Sequence, residues 1–94
     1  MILSWSTNAW EDYLYWQSID KKKLKRINLL IKDIMRNHFE GLGDPEPLKH
    51  NFSGYWSRRI DKEHRIIYKV ENQTMTPVIA CKEKKTAGFK LTRV

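Results

Sequence analysis

"YWSRRIDKEHRIIYKV" (55–70) is the stretch whose reading decides how this chain folds. Two runs rich in β-branched and aromatic residues, "YWSRRI" (55–60) and "RIIYKV" (65–70), flank the charged turn "DKEH", a pattern that predicts an antiparallel hairpin. A four-residue loop sets Ile60 opposite Arg65 and Arg58 opposite Ile67. Neither hairpin face then comes out cleanly apolar, and the register stays open. Downstream, "MTPVIAC" (75–81) reads as a third strand whose Pro77 places its start at a sheet edge or just after the proline. Far upstream, "ILSW" (2–5) is a further short strand.

Between that first strand and the hairpin the apolar period changes from two to three and four residues. Asn8 and Glu11 stand at capping-box spacing and predict a helix from about Ala9 to Ser18, with Trp10, Tyr13 and Leu14 on its apolar face. Asp20 caps a second helix, in which Leu24, Ile27, Ile31, Ile34 and Met35 recur at helical steps. Lys22, Lys25, Arg26, Lys32 and Arg36 lie on its other side and read as a solvated face. The order β-α-α-β-β-β implies an α/β (α+β) fold: a mostly antiparallel sheet with two N-terminal helices on one face.

Ninety-four residues with 40% hydrophobic content support one core. A single domain is expected over 1–85, followed by a basic extension over 86–94. The tail "KEKKTAGFKLTRV" carries +4 without periodicity and is expected to be mobile. The lone Cys81 excludes an intramolecular disulfide, and its neighbours supply no CxxC or HxxxH spacing, so neither a metal nor another cofactor is expected. No segment approaches the roughly 20 apolar residues of a membrane span, and the first residues lack a basic leader, which points to a cytoplasmic protein without a membrane partner. The net charge of +7 is uneven. Residues 1–20 carry −3, which leaves +10 for residues 21–94. That field favours polyanionic partners, RNA or DNA first and acidic protein or anionic lipid next, although charge alone fits a solvated face of ordinary lysines as well.

From Phe39 to Gly54 the glycines and prolines exclude regular structure, and function is expected there. "PEPLKHNF" (45–52) holds Glu46 between two prolines, extended and stiff, within five residues of Lys49 and His50. Metal-free RNA cleavage needs a base for the ribose 2′-OH, cations for the charge that grows on the phosphate, and an acid for the leaving 5′-oxygen. Glu46 suits the base. Arg58, Arg59 and Arg65, with Lys49, supply cations, and Tyr55, Trp56 and Tyr68 supply rings that stack on bases. Taken singly, each residue has a plainer reading. Glu46 pairs as well with Lys49 on the surface, His50 and His64 fit turns, Trp56 and Tyr68 fit a core, and "SRR" fits a charged strand edge.

"WEDYLYWQ" (10–17), "KRINLLIKDI" (25–34), "PEPLKHNFSGYWSRRI" (45–60) and "EHRIIY" (63–68) together resemble the YoeB/Txe toxins of bacterial type II toxin–antitoxin systems, a branch of the RelE superfamily. The resemblance covers about positions 3 to 81. It implies a fold related to microbial ribonucleases and a ribosome-dependent mRNA interferase that cuts the message in the A site. The implied partners are the ribosome and mRNA, a cognate YefM/Phd-type antitoxin with a disordered C-terminal segment, and a second copy of the chain or an antitoxin-bound hetero-oligomer. Carried over by position, Glu46 resembles the general base and Arg65 the transition-state cation, while Lys49, His50 and Arg59 resemble phosphate or substrate contacts. The ending departs from the family, whose chains close on a His-Tyr pair. Lys84 and Lys85 stand in those places, and "TAGFKLTRV" follows. The resemblance therefore puts Lys84 in the acid's position and Lys85 in that of an RNA contact. A free lysine, with a pKa of about 10.4 against about 6.5 for histidine, is a poor acid near neutral pH, so reduced activity is expected. The alternative expectation is a homologue that still binds antitoxin or ribosome but no longer cleaves.

Overall fold

The computed structural model describes residues 1–82 and 89–91. Along the chain run β1 (Ile2–Leu3), α1 (Thr7–Ile19), α2 (Lys21–Arg36), β2 (Glu46–Pro47), a short 3-10 turn (His50–Phe52), β3 (Trp56–Arg59), β4 (His64–Glu71), β5 (Thr74–Lys82) and β6 (Phe89–Leu91). The sheet order is β1-β5-β4-β3-β2, with β6 also on β5. Only β1 runs parallel to its neighbour, so the expected fold class holds with two short strands added. β6 lies within the extension that the sequence suggested would be mobile. Its backbone pairs Phe89 with Lys82 and Leu91 with Ala80.

α2 forms as its spacing predicts. Asp20 accepts the Lys23 N–H at 3.1 Å, and Ile27, Leu30, Ile31 and Ile34 are buried. Leu30 joins a face on which the sequence reading placed Leu24 and Met35, both only half-buried. α1 differs from expectation in cap and face. Ser6, not Asn8, accepts from the N–H three residues on, that of Ala9, at 3.1 Å. The buried residues are Ala9, Asp12 and Trp16, whereas Trp10 and Leu14 are 44% and 41% exposed. This helix carries aromatics on several sides, so apolar character alone does not reveal which side packs.

The core joins Trp16, Ile27, Leu30, Ile31 and Ile34 of the helices to Ile66, Tyr68, Met75 and Ile79 of the sheet. Strand alternation then assigns the faces. Ile66 pairs with Arg58 and Ile79, and Tyr68 pairs with Trp56 and Pro77, all on the helix-covered side. Ser57, Arg59, Arg65, Ile67, Val78 and Ala80 lie on the far side.

The hairpin register is one residue away from that of a simple four-residue loop: Arg59 faces Arg65 and Arg58 faces Ile66. The turn explains the shift. Asp61 accepts from the N–H groups of Glu63 (2.8 Å) and His64 (2.7 Å), and Ile60 donates to the His64 carbonyl, which draws five residues into the loop. Burial alone would push the Asp61 carboxyl up, but those two N–H groups, the Lys23 ammonium and the His64 ring hold it at about 2. Lys23 sits 3.0 Å from Asp61 and over the Trp16 ring, so the turn is tied to both helices. Asn72 and Gln73, both at positive φ, form the two-residue turn from β4 to β5. Pro77 stands inside β5 rather than before it, between the stretch paired with β1 and the stretch paired with β6, where no strand among the described residues needs its missing N–H.

Candidate active site

β3 carries two consecutive arginines, and the alternation of the strand sends them to opposite faces. Arg58 is fully buried. Its guanidinium donates to Asp33 Oδ2 (2.5 Å), to the carbonyls of Leu42 (3.3 Å), Glu40 (2.9 Å) and Asn37, and through Nε to the Tyr68 hydroxyl (3.2 Å). Those bonds match its five N–H donors. Tyr68 is also fully buried and donates in turn to the His38 carbonyl at 2.6 Å; burial raises the pKa of its phenol. The sequence reading offered both residues as RNA contacts. The structure puts them in the core instead, because the register turns Arg58 towards the helices and its donors are spent on the loop that follows α2.

That loop delivers the candidate base. The Leu42 N–H and then the Arg58 guanidinium hold Asp33 below the usual carboxylate range, so an anion stays at its root. Gly41, at φ 120°, lies so close to Asp33 that a Cβ would sit 2.2 Å from Oδ2. The Gly43 carbonyl accepts the Arg59 N–H at 2.7 Å. The chain then enters β2, where Glu46 pairs with Ser57. β2 is the outermost strand on this side, which is why its proline is tolerated.

On the far face Glu46, Arg59 and Arg65 come together. Glu46 and Arg59 are diagonal neighbours across β2 and β3, about 7–8 Å apart and within reach of long side chains. Arg65 lies directly across from Arg59 on β4. Glu46 is exposed, the Arg59 side chain is 52% exposed, and Arg65 forms the floor at 4%. Burial and the neighbouring Arg59 charge lower the pKa of Arg65, while Glu46 and Asp44 act against them. An arginine nevertheless stays charged at any physiological pH. Asp44, which the sequence reading passed over, reaches Arg59 at 3.6 Å. Lys49 and His50 are exposed at the start of the 3-10 turn, with His50 at φ 58°. Lys84 and Lys85 lie outside the described residues. An exposed carboxylate beside one surface and one floor guanidinium can take a proton and hold a phosphate.

A family model described as the YoeB-like toxin of bacterial type II toxin–antitoxin systems matches residues 5–84. The chain is 56% identical over 82 residues to the toxin YoeB of Escherichia coli K12, covering 87% of this chain and 96% of that toxin. A YoeB/ParE toxin from Agrobacterium tumefaciens aligns with a TM-score of 0.80 at 46% identity, over 82% of this chain and 92% of that one. The YoeB of Staphylococcus aureus, solved in complex with YefM, aligns at 0.76 and 46% identity, over 82% and 90%; it has also been solved as a dimer. Sequence and fold agree, and this chain belongs to the YoeB-like toxins of bacterial type II toxin–antitoxin systems.

Proposed function

We propose that this toxin is a metal-independent, ribosome-dependent endoribonuclease that cuts mRNA in the A site and so arrests translation. The observation that carries the reading is the placement of Glu46 with Arg59 and Arg65 on one sheet face. Glu46 takes the proton from a ribose 2′-OH. The 2′-oxygen attacks phosphorus, Arg65 and Arg59 hold the oxygens on which charge builds, and the 5′-oxygen leaves with a proton. Lys84 stands where the family's histidine acid is expected, and Lys85, Lys49 and His50 contact the RNA backbone.

Primer extension on message from a translating extract, with the wild-type chain beside Glu46→Ala, tests this. Cuts inside A-site codons should fall about 10²–10⁴-fold in the variant. Equal cutting by both chains would remove Glu46 from the chemistry.

Lys84 and Lys85 in place of His-Tyr favour one second reading, a homologue that binds antitoxin or ribosome without cleaving. Absence of cuts from the wild-type chain, with cuts from a chain restored to His-Tyr at 84 and 85, would select it. In either case the protein partner is an antitoxin of YefM/Phd type, whose acidic segment folds onto the +10 of residues 21–94, and the cytoplasm is where both meet. Residues 1–85 constitute the toxin domain and 86–94 an addition to it, and the toxin works as a dimer or within the antitoxin complex.

A further inference from the structure

Resting on that reading, we infer that Asp44 is a built-in competitor for the substrate phosphate: its carboxylate occupies the Arg59 guanidinium and sets how tightly the site holds RNA.

Four charged groups meet where β2, β3 and the start of β4 adjoin, and they cancel: Arg59 and Arg65 against Glu46 and Asp44; farther along the same face of β4, Lys69 pairs with Glu71 at 3.3 Å. Glu46 has a chemical task in the proposed reaction, and Asp44 has none. Yet the chain turns specifically to present it. Asp44 sits at φ 51°, next to Gly43 at φ 80°, and its carboxylate reaches Arg59 Nε at 3.6 Å with 84% of the side chain in water. The same carboxylate also acts on Arg65, whose charge it supports.

Its benefit in the free protein follows from the register. Two arginines directly opposite each other on β3 and β4 repel. An anion at the rim relieves that repulsion until an RNA phosphate takes its place. The pair is exposed and monodentate, so a phosphate that offers Arg59 two oxygens can displace it. Affinity for RNA is thereby held down, and the cations outside this face must make up the difference.

Asp44→Asn tests the idea cleanly, since asparagine accepts a positive φ as readily as aspartate and the backbone is not strained. The probe is a 2′-O-methylated 12-nucleotide single-stranded RNA, which lacks the nucleophilic hydroxyl and cannot be cut. Fluorescence anisotropy over a salt series should show Asp44→Asn binding it about twofold to fivefold tighter than wild type. In an Arg59→Gln background the same change should give no gain. Thermal unfolding of the free protein should shift slightly down in Asp44→Asn, opposite in sign to the gain in binding, as neither a bystander nor a purely structural residue would behave. Unchanged or weaker binding, or a gain that persists without Arg59, would overturn the proposal. The readout needs no cleavage. If Glu46→Ala left cutting intact, the catalytic reading would fall while this result stood or fell by itself.

Discussion

Arg58 and Arg59 are identical in chemistry, adjacent in sequence and opposite in fate. One is fully buried, with a hydrogen bond for every donor; the other has about half its side chain in water, beside the exposed Glu46 and a second arginine. The strand places them, not the side chains: a residue on β3 faces either the helices or the far side, and a slip of one would exchange them. The helix-covered side turns the arginine into a brace for the loop after α2. The far side leaves its neighbour available to a phosphate. A charged residue in a short basic run therefore has no role until its register is known.

The comparison breaks most visibly at Arg58. Arg58→Met leaves the carbonyls of Asn37, Glu40 and Leu42 without the guanidinium and Asp33 with the Leu42 N–H but no counter-charge from Arg58, and urea unfolding should show a loss of about 3–5 kcal/mol. At Arg59 the expected effects are exchanged. Arg59→Gln should lower message cleavage by the equivalent of one charge-assisted bond, about 1.5–3 kcal/mol, and change unfolding by less than about 0.5 kcal/mol. The smallest effect concerns the turn that sets the register. Asp61 is held at about 2, below its value in an unfolded chain, so its contribution is present above about pH 4 and disappears as the pH falls towards 2. Asp61→Asn should cost about 1–2 kcal/mol at pH 7, and urea titrations of the two chains should converge in acid.

Much of this fold was legible in the sequence. The apolar steps through Ile27, Ile31 and Ile34, the Asp20 cap and the β-rich runs at 55–60 and 65–70 each follow from local chemistry and reappear in the structure. What was hidden depended on contacts between distant segments. Asp61 closes its turn with backbone N–H groups, which shifts the register and sends Arg58 and Tyr68 inward. α1 packs through Ala9, Asp12 and Trp16 because of where α2 and β5 lie, although Trp10 and Leu14 are as apolar. β2 exists only because β3 offers it an edge, and it is too short to announce itself. In the site, Glu46 stood out by its prolines. Asp44 did not, and the only signal was an acid directly after two closely spaced glycines in "GLGD".

Lysine replacements at the two neighbouring arginines, read for both stability and cleavage, test the division of the strand most directly. A lysine keeps the charge but loses the five-donor fork, so Arg58→Lys should lower the urea midpoint sharply, whereas Arg59→Lys should unfold like the wild type and cut message more slowly. Equal losses of stability in the two variants, or undiminished cleavage by Arg59→Lys, would contradict the assignment of the covered side to structure and the far side to chemistry.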